Sequence, residues 1–209
     1  MLRTVLASLA LALVGWWSAA SITHDFRAWT AEGVRRLAVI DRPVVAPKFV
    51  LAGPGVDGAN LHGWLTGAGR ATIIDFIYTR CPSVCTTLGS GFQQIQQSLA
   101  QGTDHSVKLL SISFDPAHDD DASLQRYAAL WKADPQRWAI ATVPDADQLQ
   151  QLLKAFQVVV IDDGRGGYEH NAALLVVDGK GRLVRIFDDT ELELALNYAR
   201  SIASAGNSP

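Results

Sequence analysis

The chain has 209 residues, 48% of them hydrophobic and 19% charged, with a formal net charge of −3. That length and balance suit one medium-sized domain with a buried core and exclude a disordered or low-complexity chain. No basic stripe offers an electrostatic footprint for nucleic acid, so no nucleic-acid partner is expected.

The N-terminus departs from that average. After Arg3 the sequence runs without a charge from Thr4 to Thr23, about the length a bilayer-spanning helix needs. Arg3 marks the cytoplasmic side, and Trp16 and Trp17 suit an interfacial aromatic belt. Residues 1–23 therefore read as a signal anchor or as a cleaved signal peptide, since Ser18-Ala19-Ala20 offers small residues to a peptidase. The length of the apolar run favours the anchor. Either way the rest of the chain is exported, where thiols meet an oxidising compartment. Residues 24–48, with Pro43 and Pro47, read as a tether, and a folded domain is expected over 49–205.

Within that domain, FVLAG and ANLHGWLTG are expected to form a small opening hairpin. ATIIDFIY (71–78) and SVKLLSISF (106–114) are β-branched, apolar runs and predict buried strands. Between them Leu88, Phe92, Ile95 and Leu99 step by four, three and four, the stripe of an amphipathic helix, although Gly89 and Gly91 weaken its start. Asp and Ser residues ahead of Leu124, Tyr127, Ala128 and Trp131 predict a second helix. RWAIATV (137–143) reads as a strand, and Leu149, Leu152, Leu153 and Phe156 as a third helix stripe. FQVVVIDDGRGGYEH reads as an extended run with a glycine-rich excursion. AALLVVDGKGRLVRIF is a hairpin around Asp178-Gly179-Lys180-Gly181. The last helix is expected to start at Thr190, with Glu193 completing a capping box. Strands alternating with helices imply parallel crossovers. The predicted fold is α/β and thioredoxin-like: a central mixed sheet flanked by helices, with its site at the carboxyl ends of the parallel strands.

The only two cysteines, Cys81 and Cys85, fall at that end, after strand 71–78 and at the start of a helix. Free N–H groups and the positive end of the helix stabilise thiolate there, as does Arg80. The spacing is one residue longer than a C-x-x-C redox pair. Residues i and i+4 share a helix face, so the two sulfurs can converge on a metal, exchange electrons with a partner thiol, or close a structural disulfide. A disulfide over three intervening residues constrains the unfolded chain little. Thiolates suit Cu(I), and two sulfurs call for a third ligand, for which a histidine is the natural choice. His24 lies in the tether, His62 in the opening hairpin, His105 at the opposite end of the sheet and His118 in a polar loop. His170 directly precedes the AALLVV strand, which in a thioredoxin-like fold lies beside the cysteine-bearing helix start. Met1 is the sole methionine, which excludes a blue-copper His₂Cys-Met site.

DFIYTRCPSVC resembles the Y-T-x-C-P-x-V-C segment of the Sco/SenC copper chaperones of cytochrome c oxidase assembly. SISFDPAHDD resembles that family's S-x-D-P-x-x-D turn, and YEHNAALLVVDGKGRL its D-H-x segment and following hairpin. Here Thr86, Glu169 and His118 stand where relatives often carry Pro, Asp and Arg. The resemblance implies copper, as Cu(I) or Cu(II), held by Cys81, Cys85 and His170. It implies a domain in the periplasm, anchored in the cell inner membrane by its N-terminal helix. It implies delivery of copper to the binuclear site of cytochrome c oxidase subunit II or to another copper protein, or preparation of that site's thiols, with other copper chaperones as further partners. A metallochaperone of this kind is not primarily an enzyme.

The alternative is a dedicated thiol–disulfide reductase in which Cys81 attacks and Cys85 resolves. No proline occurs between Pro144 and Pro209, so the proline that faces the cysteine pair in thioredoxins is missing and His170-Asn171 occupies that approach. A peroxiredoxin-type peroxidase fits less well, because Thr79 stands only two residues before Cys81. Asp115 reads first as a turn residue capping the next helix, and second as a carboxylate that tunes the metal site. Tyr78 and Arg80 flank the cysteines.

Overall fold

The computed structural model describes residues 2–23, 25–56, 58–66, 71–81, 84–101 and 105–205, with backbone only for 84–86. Two compact units divide at Asp41 and Arg42.

The N-terminal unit holds α1 (Leu2–Ile22) and α2 (Ala31–Asp41). At 1.5 Å per residue α1 is roughly 31 Å long, enough to cross the hydrocarbon core of a bilayer. Its large apolar side chains, from Leu2 and Val5 to Trp16 and Trp17, are exposed, as a lipid-facing helix requires. It is the one helix long and apolar enough to span a membrane among the described residues. Within residues 24–48, where Pro43 and Pro47 argue against a long helix, the structure forms the 11-residue α2. The Thr30 hydroxyl accepts the Gly33 N–H at 3.0 Å and so caps the helix. Glu32 bonds Arg35 and Arg36 one turn on. Pro43 and Pro47 follow the last turn, where they end a helix rather than prevent one.

The second unit is built on a six-stranded sheet: β1 (Val44–Val45), β2 (Ala71–Ile77), β3 (Val107–Ser113), β4 (Trp138–Thr142), β7 (Ala173–Val177) and β8 (Arg182–Asp188), in the order β1-β8-β7-β2-β3-β4. The β2, β3 and β4 strands are parallel, and β7 runs antiparallel to β2. The predicted hairpin is β7–β8. The edge strand β1 pairs with β8 through Val44 and Leu183, so the sheet takes up residues the sequence reading left in the tether. Every residue of β2 is buried, which explains its unbroken apolar run.

Helix α4 (Val84–Gln101) packs between α5 (Asp121–Trp131) and α7 (Leu192–Ala205). Its predicted stripe, Leu88, Phe92, Ile95 and Leu99, is buried, and Phe92 meets Trp138 of β4 at 5.5 Å. The two glycines that weaken its helical propensity serve this packing. A Cβ at Gly89 would overlap the Trp131 indole, and one at Gly91 would press on Leu192. On the opposite face Phe156, which ends α6 (Ala146–Ala155), meets Phe76 of β2 edge-on at 6.2 Å.

Three local expectations change. The opening hairpin reduces to one bridge, Val50 to Asn60; its second arm is α3 (Leu61–Thr66), capped by Asn60, whose side chain accepts the Gly63 N–H at 3.1 Å. The glycine-rich excursion is a separate two-stranded hairpin, β5 (Val160–Asp162) with β6 (Tyr168–His170). Helix α7 starts at Leu192, and Thr190 donates its hydroxyl to Asp188 instead of completing a capping box.

Candidate metal centre

The carboxyl ends of β2 and β3 are joined where Phe114 N–H donates to the Ile77 carbonyl at 2.9 Å. From Ile77 the chain turns through Tyr78, Thr79 and Arg80 to Cys81, whose N–H returns to the Tyr78 carbonyl at 3.3 Å. Cys81 is half-buried, and Cys85 lies in the first turn of α4. The side chain of Cys85 falls outside the described residues. The backbone path gives Cys81 the strand-end position expected of it.

His170 is the last residue of β6, paired with Val160 of β5. Four rings bring this hairpin to the strand ends. Tyr78 meets Phe114 at 5.4 Å and Tyr168 at 5.2 Å. Phe114 meets Tyr168 at 5.6 Å and the His170 imidazole at 5.1 Å. The Tyr168 N–H also donates to the Tyr78 hydroxyl at 3.2 Å. Edge-to-face contacts of this kind fix orientation as well as bury area. They set His170 on Phe114, one hydrogen bond from the strand that leads to Cys81.

Both ring nitrogens of His170 are buried without a hydrogen-bond partner. Burial lowers its pKa below the usual histidine value, so the imidazole stays neutral, with a lone pair available. Among the described residues no group of three His, Cys, Asp or Glu side chains gathers closely enough to hold a metal. Of the other four histidines, His62 on α3 and His105 in the loop before β3 lie elsewhere, His24 is outside the described residues, and His118 stands beside the cysteine turn on Asp115.

A polar shell surrounds the cysteine turn. Asp115, 3% exposed, accepts from Arg80 at 2.9 Å and from His118 Nδ1 at 2.9 Å. Burial alone would raise its pKa; the His118 and Arg80 hydrogen bonds outweigh burial and hold it below the usual carboxylate range. Arg80 is held more firmly charged, first by its bond to Asp115. Burial, then the Asp115 charge, raises the Tyr168 phenol. The carboxylate that caps α5 is Asp120, which accepts the Ser123 N–H at 2.8 Å. This corrects the capping reading of Asp115, whose side chain is spent on Arg80 and His118 and whose backbone carbonyl alone makes the turn.

The sequence reading gave no role to Asp75 and met Asp119 only as the last residue of the S-x-D-P-x-x-D turn. Asp75 stands level with Ser111 of β3, is wholly buried, and neither oxygen completes a hydrogen bond. Burial pushes it up to about 7, with Ser111 across the strand offsetting only part of the effect. A charged residue type within ATIIDFIY was the available signal. Asp119 is buried beneath Thr79.

Comparison with known proteins decides the family. The SCO1/SenC family model matches residues 62–204. The chain belongs to the SCO1/SenC family. A SCO1 protein homolog of Bacillus subtilis is 25% identical over 126 residues, 59% of this chain and 64% of that protein. The matched stretch spans less than two thirds of the length of the curated relatives it matches. Solved structures carry the same thioredoxin-like fold. BsSco, a member of the Sco family of cytochrome c oxidase assembly proteins in which a disulfide switch was identified, superposes with a TM-score of 0.67 at 19% identity, covering 78% of this chain and 95% of its own. Bradyrhizobium japonicum ScoI, solved with copper bound, gives 0.63 at 21% identity, covering 76% and 99%.

Proposed function

We propose that this SCO1/SenC protein is a copper metallochaperone whose ligands are the sulfurs of Cys81 and Cys85 and the imidazole of His170. The observation that carries the reading is the state of His170. A buried imidazole with two unsatisfied nitrogens is costly unless a partner arrives, and this one is neutral and stands at the strand ends that lead to Cys81. Two thiolates and an imidazole form a soft donor set that fits Cu(I) and also accommodates Cu(II). Copper is cargo here, so a site that opens at one end of the sheet suits transfer.

The copper-bound Sco neighbours and the oxidase-assembly role of BsSco support this reading. The recipient is the binuclear copper site of cytochrome c oxidase subunit II or another copper protein, with other copper chaperones as donors. Helix α1 anchors the chain in the inner membrane, residues 24–48 lead to the domain, and residues 49–205 face the periplasm. Both sulfurs must be reduced to bind metal, so oxidation of the pair to a disulfide closes the site. A second reading, a reductase dedicated to the thiols of a copper-site partner, draws on the half-buried position of Cys81 in the turn ahead of α4. It uses the same cysteines.

The test is copper titration of the reduced full chain in detergent, followed by absorption and EPR. Thiolate-to-Cu(II) charge-transfer bands are expected in the wild type and their loss in Cys81→Ser or Cys85→Ser. Equal copper binding by His170→Ala refutes the ligand set. Reductase activity toward a partner disulfide that survives His170→Ala favours the second reading.

A further inference from the structure

The two residues before Cys81 are each gripped by a different buried carboxylate of the loop that follows β3. Asp115 takes the guanidinium of Arg80. Asp119 takes Thr79 twice: the backbone N–H at 2.9 Å and the hydroxyl at 2.6 Å. Ser113, the last residue of β3, donates its hydroxyl to the same carboxylate at 2.5 Å. The division of labour is clear, because the adjacent Asp120 caps α5 and faces a different set of donors.

The two grips differ in kind. Arg80 is 45% exposed, so its ion pair is screened by solvent and holds the tip of a long side chain. Asp119 is 1% exposed and its partners on Thr79 include the main chain. A buried carboxylate held by hydroxyls and an amide is expensive to desolvate, and an apolar residue would fill a plain loop at lower cost. What the carboxylate supplies is direction: it pins the backbone and the rotamer of Thr79 together and ties both to the end of β3. Two residues later the chain delivers the sulfur of Cys81.

We propose that Asp119, acting through Thr79, is a positioning residue for Cys81. It fixes the backbone from which Cys81 leaves the strand end and so sets the balance between the dithiol and disulfide forms of the Cys81–Cys85 pair. The inference rests on the reading of Cys81 and Cys85 as a working pair. In the exchange with glutathione disulfide, the two protein thiols lose two protons and two electrons and form one S–S bond. The glutathione S–S bond breaks and accepts them as two glutathione thiols.

The experiment equilibrates the full chain in detergent with glutathione buffers and counts protein thiols by alkylation mass shift. Thr79→Val removes the hydroxyl at nearly constant volume, Thr79→Ser restores it, and Ser113→Ala loosens Asp119 from the strand side. The Thr79→Val equilibrium constant is expected to move about tenfold from wild type, Ser113→Ala about threefold in the same direction, and Thr79→Ser less than twofold. Thermal melting is followed in parallel. Constants equal to wild type in both Thr79→Val and Ser113→Ala, with or without a lower melting temperature, overturn the proposal and leave Asp119 a structural residue. A wild-type chain that never forms the disulfide in any buffer overturns the working-pair reading itself.

Discussion

Two imidazoles near the cysteine turn meet opposite fates. His118 is half in solvent, and its Nδ1 is spent on Asp115 at 2.9 Å. His170 is mostly buried against Phe114, and neither nitrogen has a partner. The first is satisfied where it stands. The second carries an uncompensated desolvation cost that a metal ion would relieve. Both stand by the strand ends that lead to the cysteine turn; unspent hydrogen-bonding capacity is not shared, and it is the sharper guide to a ligand.

The largest expected effect tests this contrast. His170→Ala should weaken copper binding by about 100-fold or more, in line with loss of one ligand from three, measured by competition with a copper chelator. Because the imidazole makes no hydrogen bond in the protein, the same change should cost stability only about 1 kcal/mol of lost ring packing. The lowered pKa of His170 also sets the pH profile. Burial keeps its nitrogens unprotonated to lower pH than an exposed histidine, so copper should be released at lower pH than an ordinary imidazole ligand would allow. Release near pH 7 would contradict a buried, neutral ligand.

How much of this was legible in the sequence depended on the range of the interaction. The amphipathic stripe Leu88–Phe92–Ile95–Leu99, the parallel strands 71–78 and 106–114 and the closing hairpin follow local periodicity, and the structure keeps them. The cysteine turn and His170 were named because strand order places them at one end of the sheet. The sequence did not disclose that Gly89 and Gly91 are contact glycines, since their partners Trp131 and Leu192 lie on other helices. Helix α2 escaped because Pro43 and Pro47 were weighed as breakers inside a segment they only terminate. Asp115 and Asp120 could not be told apart as caps, because Asp115 is drawn away by Arg80, 35 residues earlier in the chain.

Asp75 is a second buried polar group whose oxygens complete no hydrogen bond, with only partial relief from Ser111, and it separates cost from ligand function. It lies within β2, level with Ser111. Its folded pKa of about 7 is above the unfolded value of 3.8. The native state therefore binds the extra proton between those values. Stability should fall as pH rises from about 4 to about 7 and then level off. Asp75→Asn should remove that slope and raise stability by about 4 kcal/mol at pH 8, and by less than half of that at pH 5. Urea denaturation at the two pH values measures both; an unchanged slope would mean that Asp75 is not the titrating group.

The smallest effect is expected at His118. Its ring is 51% exposed, so its bond to Asp115 is screened and contributes about 0.5 kcal/mol or less. His118→Ala should leave copper affinity within about threefold of wild type, since the residue belongs to the satisfied member of the pair. Its trace should appear in acid. Asp115 titrates below its unfolded value because His118 and Arg80 both donate to it. The stability it contributes is therefore present above about pH 4 and lost as pH falls through the folded pKa. With one donor gone, the acid limb of the stability curve should move toward higher pH while the plateau near neutrality stays in place. A His118→Ala protein that lost copper as His170→Ala does would erase the distinction between spent and unspent imidazoles, and a third donor would then have to be sought on the side of the site nearest Asp115.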